Sequence, residues 1–327
     1  MILIVTSSFD PHADLLIDAA NKLEAPFYRL NTDLSGSLWT IDMRYDKQDY
    51  HWDLYDRHFG RIVCDSRRVQ SLIIRRPTIP NFGDLEVSPS AVMNLENEFR
   101  EFYRSFLHNL VCYKFNPLFS IIESEYKPVQ LQLAPSFGFR IPPTLISNRQ
   151  DSLREKVAMG PTIMKGMDSR GFEHEHDFYS LDTVRFSAQD IQEDNDSPYY
   201  RNPLLLQTEI EKKFEVRTIV IADDVLSFRI DSQSVPGAEV DWRVVDYKKH
   251  GWEPIETPPA VVKSCKKFLL HFGLNSGSFD FIVRPDEAWV FLECNPNGQW
   301  GWLQERRGIP LSERIIDCML HERRPKL

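Results

Sequence analysis

Residues 278–302 read SFDFIVRPDEAWVFLECNPNGQWGW and predict a β-hairpin of two largely apolar strands. Asp280 interrupts the first strand, and Glu293 and Asn295 end the second. Two carboxylates and an amide inside an apolar hairpin are costly unless they are paired or bind a cation. All-oxygen ligands suit a hard ion, and Mg²⁺ with phosphate is the usual case. The stretch therefore predicts a magnesium–phosphate site rather than a set of solvated strand residues.

The expected register of this hairpin puts its polar side chains on one face. With a turn of about four residues, Asp280 lies opposite Phe291, and directly opposite residues share a face. Because side chains alternate along a strand, Glu293 and Asn295 then share the face of Phe291, and Cys294 points to the other side.

Two lysines stand where a phosphate site would use them. Lys127 begins a short helix together with Pro128, and a helix N-terminus already favours anions. Lys165 ends a strand predicted over 161–165, just before the polar, glycine-containing loop 166–177. A lone lysine at a strand end is usually solvated. Both lysines together with the acidic hairpin make the pattern of cations and metal ligands that phosphoryl transfer requires.

A strand, a polar turn and a second strand follow one another over residues 204–217. Glu215 and Arg217 share a face of the second strand because they are two residues apart. Such a strand–turn–strand segment can offer backbone groups to an adenine ring and the carboxylate of Glu215 to ribose hydroxyls.

The N-terminal segment predicts a β-α-β unit, with strands at 1–5 and 26–30 and a helix at 11–24. The first loop, 6–11, has no glycine, so backbone could not approach a pyrophosphate as it does in dinucleotide sites. This unit is therefore not expected to bind the nucleotide. A helix is predicted over 91–111 from an apolar stripe expected to face the core: Met93, Leu95, Phe99, Phe102, Tyr103, Phe106 and Leu110.

Composition narrows the class of protein. The chain has 327 residues, of which 42% are hydrophobic, so it can build a sizeable core over two or three domains. A net charge of −9 argues against nonspecific binding to nucleic acid or to an anionic membrane. No apolar run approaches the roughly 20 residues of a membrane helix. The N-terminus lacks the pattern of a signal peptide, and five scattered cysteines indicate reduced thiols in a cytoplasmic protein.

The order of these features resembles that of ATP-grasp ligases, and more narrowly that of the microviridin-type, peptide-cyclising enzymes called graspetide synthetases. The metal motif is typical of ATP-grasp enzymes in general, whereas two stretches, 241–243 and 295–301, favour the narrower family. Loop 166–177 departs from the family's usual run of small residues because it contains Arg170 and His174. The matching stretches are YRLNTD at 28–33, RRP at 75–77, KPVQL at 127–131, FEVR at 214–217, DWR at 241–243 and FLECNPNGQWG at 291–301.

The resemblance implies an α/β chain with the ATP-grasp fold. A Rossmann-like pre-ATP-grasp domain that does not bind nucleotide would cover 1–115. The central ATP-grasp subdomain would cover 116–200, and the C-terminal subdomain with the metal-binding hairpin 201–327.

The resemblance also implies roles for individual residues. Residues expected to contact ATP are Lys127 and Lys165 at the phosphates, Gln207, Glu209 and Ile210 at the adenine, Glu215 at the ribose, and Arg217 at the phosphates or the acyl phosphate. Residues expected to hold magnesium are Asp280, Glu293 and Asn295. Residues expected to act in catalysis are Arg217, Lys165 and Arg243. Residues that could meet the substrate are Arg75, Arg76, Arg229 and Arg243, each of which could equally be an ordinary solvated or loop residue.

The implied activity uses ATP and Mg²⁺ to phosphorylate Asp or Glu side chains of a ribosomally made precursor peptide, which consists of a leader and a core. A Ser or Thr hydroxyl, or a Lys amine, would then close a macrolactone or macrolactam ring. The enzyme would be a homodimer without nucleic-acid or membrane partners. Two alternatives stay open: a ligase that adds free amino acids to a peptide or protein carboxylate, and a non-catalytic module that binds a peptide.

Overall fold

The computed structural model describes residues 1–47, 49–168, 172–174, 177–179, 183–191, 198–242 and 252–327. The helices of these residues are α1 (Pro11–Lys22), α2 (Pro89–Asn109), α3 (Leu118–Glu125), α4 (Lys127–Phe137), α5 (Gln150–Ala158), α6 (Pro259–Phe272), α7 (Gly301–Arg307) and α8 (Leu311–Leu320). Among the described residues, no helix is long and apolar enough to span a membrane. All five cysteines are free.

A parallel sheet forms the N-terminal layer, as the predicted β-α-β unit requires. Its order is β2 (Phe27–Asn31), β1 (Ile2–Thr6), β6 (Ser71–Ile74) and β7 (Tyr113–Lys114). Strand β1 is buried along its whole length, which explains its continuous apolar run. Asp10 caps helix α1, since its side chain accepts a hydrogen bond from the backbone N–H of His12.

An antiparallel sheet of β3 (Trp39–Asp46), β4 (Asp49–Asp56) and β5 (Arg61–Asp65) packs beside helix α2. The predicted stripe of α2 faces the core only over its C-terminal half, where Phe106 and Leu110 are buried. Met93 and Leu95 are 60% and 36% exposed, so the expectation of a core-facing stripe was wrong for the first turns. Helical spacing identified the helix but could not show that its N-terminal half extends beyond the core.

The central layer is an antiparallel sheet of short strands in the order β12 (Val184–Phe186), β9 (Thr162–Lys165), β13 (Leu204–Thr208) and β8 (Thr144–Ser147). A two-stranded ribbon, β10 (Phe172–His174) and β11 (Asp177–Tyr179), lies in the polar loop after Lys165. Strand β13 begins after the predicted border at residue 200 but pairs with β8 and β9.

The C-terminal layer is an antiparallel sheet that carries the hairpin. Its order is β16 (Glu253–Ile255), β15 (Asp224–Ile230), β14 (Phe214–Ile221), β17 (Ser276–Val283) and β18 (Trp289–Asn295). One face of the hairpin is apolar and packs around Phe268 of α6, with ring centroids of Phe279 and Phe291 at 5.4 and 6.1 Å. The opposite face is therefore the one available for polar chemistry.

The hairpin pairs in a different register from the one expected. Phe281 lies opposite Phe291, and a β-bulge after Asp280 then brings Asp280 opposite Glu293. The extra residue is Leu292, since a bulge sets two residues of one strand against one of the other. Asp280 and Glu293 therefore share a face, as predicted, but Phe291 lies on the apolar face with Phe281, which corrects the expected pairing.

Candidate active site

Three charged side chains meet where β14, β17 and β18 lie side by side. Asp280 on β17 is flanked by Glu293 on β18 and by Arg217 on β14, each directly opposite it in the ladder. The Arg217 Nε and Asp280 Oδ1 atoms are 2.7 Å apart and form a largely buried ion pair. The sheet thus fixes two carboxylates and one guanidinium on a single face.

Both predicted lysines reach this acidic pair. Lys127 begins helix α4, and its Nζ lies 3.3 Å from Glu293 Oε2 and donates a hydrogen bond to the carbonyl of Gly166. Lys165 ends β9, beside that same glycine. Burial lowers the pKa of Lys165, and the charge of Lys127 lowers it further, while that of Glu293 opposes both. The two lysines and Glu293 therefore form one electrostatically coupled group.

A pocket, which we call the hairpin pocket, lies between the central and C-terminal sheets. It brings together residues that are far apart in the sequence and that were predicted to hold ATP and metal. The predicted residues that line it are Lys165, Gln207, Glu209, Ile210, Glu215, Asp280 and Glu293.

Gln207 gives the hairpin pocket an unused hydrogen-bond acceptor. Its amide nitrogen donates to Thr144 Oγ1 at 3.0 Å, but its buried Oε1 atom has no hydrogen-bond partner. A buried amide oxygen without a donor is uncommon in native proteins and requires an explanation. A ligand with an N–H donor, such as the amino group of adenine, would supply the missing bond.

Glu215 is held by neighbours that the sequence did not reveal. Its Oε1 accepts from Lys212 Nζ at 3.0 Å and from Ser232 Oγ at 2.9 Å. The side chain of Lys212 is itself only 7% exposed and also donates to the carbonyl of Val240. The only sequence signal for Lys212 was its place in the polar turn just before Glu215, and a lysine there resembles any solvated turn residue.

The fold of this chain is similar to solved structures of peptide-modifying ATP-grasp enzymes. A RiPP-associated ATP-grasp ligase from Chryseobacterium gregarium, solved with ADP and a leader and core peptide, aligns at a TM-score of 0.89 and 23% identity, over 99% of this chain and 98% of that one. Macrocyclase MdnC bound to precursor peptide MdnA, from Microcystis aeruginosa MRC, aligns at 0.84 and 23%, over 98% and 99%. Macrocyclase MdnB of the same strain aligns at 0.78 and 26%, over 98% of each chain.

The chain has the fold of the ATP-grasp macrocyclases. The fold predicted from the sequence is therefore confirmed. No model of a protein family matches the sequence, and no curated protein matches it significantly.

Asn295, the third predicted metal ligand, lies beside the pair formed by Asp280 and Glu293. It pairs with Ser278, one step along the same face from Asp280, and its Oδ1 accepts from the backbone N–H of Asn297 at 2.9 Å. It does not line the hairpin pocket. Within the described part of the chain, no three or more His, Cys, Asp or Glu side chains form a group that could hold a metal ion. Any metal here would rely on two carboxylates, an amide and groups of the nucleotide.

Aromatic rings support Arg217 in the candidate site. The Arg217 guanidinium lies 5.6 Å from the ring centroid of Trp242, within the range of a cation–π contact. Trp242 in turn packs edge-on against Trp252, with ring centroids 5.0 Å apart. Trp242 is not among the site residues that the sequence predicted. The next residue, Arg243, lies outside the described residues, as do Arg170 and the side chain of His174.

Arg229 lies at the surface of the sheet, which is the second of the two positions that the sequence left open for it. It pairs with Val216 in the ladder, and therefore points to the opposite face from Arg217. Its side chain is half exposed and forms an ion pair with Glu253 at 2.7 Å. Side chains alternate between the two faces along β15. Because Phe228 lies opposite Arg217, the next residue, Arg229, points to the other face.

Arg75 and Arg76 follow β6 and lie against the loop after the hairpin rather than in the hairpin pocket. Arg75 is 5% exposed, and its Nε lies 3.9 Å from Asp10 Oδ2. The Arg76 guanidinium lies 3.2 and 3.3 Å from the side-chain amide of Gln299, whose oxygen accepts from it once the amide oxygen and nitrogen are exchanged. The two arginines therefore join the N-terminal sheet to the segment that begins at Asn295.

Proposed function

We propose that this protein is an ATP- and Mg²⁺-dependent ligase that activates side-chain carboxylates of a peptide as acyl phosphates. The observation that carries the proposal is the arrangement on the face of the C-terminal sheet. Asp280 and Glu293 lie side by side there, with Arg217 against one carboxylate and Lys127 against the other. Such a set of oxygen ligands and cations suits a metal-bound polyphosphate.

The residues of the hairpin pocket fit ATP and magnesium. Asp280, Glu293 and the nearby Asn295 would hold the metal, which neutralises the charge that develops on the transferred phosphoryl group. Lys127 and Lys165 would hold the phosphates. For the adenine, the family resemblance names Gln207, Glu209 and Ile210, and the unpartnered acceptor of Gln207 supports that role. Glu215 would meet the ribose, with Lys212 and Ser232 keeping its carboxylate in position.

The catalytic task of these residues is mainly positioning and electrostatic. A carboxylate is a poor electrophile because its leaving group would be oxide, whereas an acyl phosphate has a good leaving group. Arg217 is fixed by Asp280 and by the face of Trp242, so its charge is already in place when negative charge develops on the phosphoryl oxygens. Lys165 adds a second cation. No protein nucleophile is required, because the hydroxyl or amine that attacks the acyl phosphate comes from the substrate.

The substrate is a ribosomally made precursor peptide with a leader and a core. Support comes from the structural neighbours, of which the Chryseobacterium ligase was solved with a leader and core peptide and MdnC with precursor MdnA. A Ser or Thr hydroxyl, or a Lys amine, of the same peptide would attack the acyl phosphate and close a ring. Homodimer formation, a microviridin-type product and a role for Arg243 rest on the resemblance alone, whereas a cytoplasmic location rests on the scattered cysteines and the N-terminal sequence.

Mass spectrometry tests this function directly. The purified protein is incubated with ATP, Mg²⁺ and the peptide encoded by a small neighbouring gene that combines a leader with Thr/Ser-rich and Glu/Asp-rich repeats. We expect the peptide to lose one water for each ring, and the Glu293→Gln variant to leave its mass unchanged. Consumption of ATP with an unchanged peptide mass would contradict cyclisation.

A further inference from the structure

Gln130 of helix α4 has a buried side-chain amide that uses both of its N–H groups. The residue is 2% exposed. Its Oε1 atom accepts a hydrogen bond from the backbone N–H of Cys294 at 2.7 Å. Its Nε2 atom donates to the carbonyl of Cys294 at 2.8 Å and to the carbonyl of Ser124. The reversed amide would set its oxygen against two carbonyl oxygens, so the side chain is held in one orientation.

Cys294 requires this amide because β18 is an edge strand of the C-terminal sheet. The backbone N–H and carbonyl of Cys294 point away from β17, towards helix α4. A buried backbone group without a partner costs about as much as a lost hydrogen bond. At Phe291 the same edge is covered by main chain, since the backbone N–H of Phe291 donates to the carbonyl of Arg140 at 2.8 Å. At Cys294 the side chain of Gln130 takes the place of a neighbouring strand.

Cys294 lies between two of the predicted metal ligands. Glu293 and Asn295 are its neighbours on β18. Their side chains lie on the polar face of the hairpin, whereas the Cys294 thiol is buried in the core on the other face. A shift of the Cys294 backbone would therefore move both ligands together. The two hydrogen bonds from Gln130 fix the backbone at the centre of this ligand pair.

Gln130 also joins these ligands to a phosphate-binding lysine of the proposed site. It follows Lys127 by three residues on α4, and residues at this spacing share a face of a helix. Lys127 Nζ lies 3.3 Å from Glu293 Oε2. That ion pair joins two long side chains, whereas the amide joins the helix to the backbone of the strand. The separation between Lys127 and the metal ligands is therefore set by Gln130.

We propose that Gln130 is a positioning residue of the metal site, which holds Glu293 and Asn295 at the distance from Lys127 that one magnesium–phosphate group requires. This inference rests on the proposed function and adds to it a residue that contacts neither metal nor nucleotide. Replacing a group that orients metal ligands typically costs about 10–100-fold in metal affinity or activity. An amide that only covered the edge of β18 would support the fold without affecting the metal.

Calorimetry of AMPPNP binding with and without Mg²⁺ separates these two roles. Gln130→Met replaces the amide by an apolar side chain of similar shape, and Gln130→Asn keeps an amide but withdraws it from Cys294 by one methylene group. The matched control is Gln304→Met in helix α7. Gln304 Oε1 accepts from the backbone N–H and from the hydroxyl of Ser312, at 2.8 and 2.9 Å. The Tm of each protein is measured in parallel, and binding is recorded well below the lowest Tm.

We expect Mg²⁺ to tighten AMPPNP binding to wild type and to Gln304→Met by about ten-fold or more. In Gln130→Met and Gln130→Asn this gain should fall below about three-fold, while the affinity without Mg²⁺ stays close to that of wild type. All three variants should unfold at a lower Tm than wild type, because each leaves buried groups without their hydrogen bonds. The gain from Mg²⁺ should thus depend on the contact with Cys294 and not on stability.

Three results would overturn this role of Gln130. The first is a folded Gln130→Met or Gln130→Asn protein that keeps the full gain from Mg²⁺. The second is an equal loss of the gain in Gln304→Met, which would tie the gain to stability. The third is failure of both Gln130 variants to fold, which would make the amide a requirement of the fold itself. A wild-type protein that binds AMPPNP equally with and without Mg²⁺ would instead contradict the proposed metal site.

Discussion

The two faces of the hairpin formed by β17 and β18 have opposite chemistry. One face carries Phe279, Phe281 and Phe291, which stack around Phe139 and Phe268 in the core. The other face carries the acids that meet the cations of the hairpin pocket. Along the same two strands, residues that stabilise the core thus alternate with residues that line the hairpin pocket. A single substitution should therefore change either the stability or the activity, but not both.

The largest effect is expected from the polar face. Glu293→Gln removes one of the two charged metal ligands and should lower turnover by about 10²- to 10³-fold, the range seen when a key electrostatic contact is lost. The free energy of unfolding should change little, because the side chain is partly exposed and Gln has the same shape. Peptide-dependent ADP release, with urea unfolding as the control, measures both quantities. An active Glu293→Gln enzyme would refute the metal assignment.

The apolar face should show the reverse pattern. Phe291→Ala leaves a cavity among stacked rings and should reduce the free energy of unfolding by about 3–5 kcal/mol. Under conditions where the variant is folded, its turnover per molecule should stay within a few-fold of wild type. A turnover loss as large as that of Glu293→Gln, without a loss of stability, would show that the two faces are not separate.

The comparison of these two residues also shows how far sequence reasoning reached. Phe291 and Glu293 are two residues apart, and strict alternation placed them on one face. The bulge after Asp280 puts them on opposite faces. The shared face of Asp280 and Glu293 was nevertheless predicted correctly, because the turn is one residue longer than expected and the bulge adds one more, so the two shifts together restore the alternation. A bulge has no reliable signal in a single sequence.

Features that depend on distant segments were not predicted. The sequence places Arg75 after an apolar strand, but only the fold brings it beside Ser278 and Asn297. The stacking of Trp242 on Arg217 likewise joins two segments that local patterns do not connect. Local periodicity predicted the strands, the helices and the acidic pair, whereas the contacts between layers required the three-dimensional structure.

A smaller effect is expected where the segment after the hairpin meets helix α1. His12 Nε2 accepts hydrogen bonds from the backbone N–H groups of Trp300 and Gly301, at 3.1 and 3.0 Å. Burial, with the nearby charge of Arg75, lowers the pKa of His12 to about 4, from 6.5. Between pH 6.5 and pH 4 the unfolded chain binds more protons than the folded one. The free energy of unfolding therefore falls by about 3 kcal/mol as the pH drops over this range.

His12→Gln tests this pH dependence because an amide oxygen can accept the same bonds but does not titrate. Urea unfolding of wild type and variant between pH 7 and pH 4.5 should show a shallower loss of stability in the variant. Identical slopes would indicate that His12 does not remain neutral in the folded protein.

The smallest effect is expected at Arg229. Its ion pair with Glu253 is exposed, and exposed pairs contribute about 0–1 kcal/mol. Arg229→Met should therefore keep both turnover and the KM for the peptide within two-fold of wild type. A rise of ten-fold or more in KM would return this arginine to the substrate site and contradict its placement on the outer side of the sheet.

The most direct test of the metal site is the affinity for AMPPNP measured by calorimetry with and without Mg²⁺. For wild type we expect Mg²⁺ to tighten binding by at least about ten-fold, which corresponds to about 1.4 kcal/mol. In Glu293→Gln this gain should disappear, while the affinity without Mg²⁺ stays close to that of wild type. A Glu293→Gln protein that retains the full gain from Mg²⁺ would contradict the assignment of the hairpin acids to a metal-bound nucleotide.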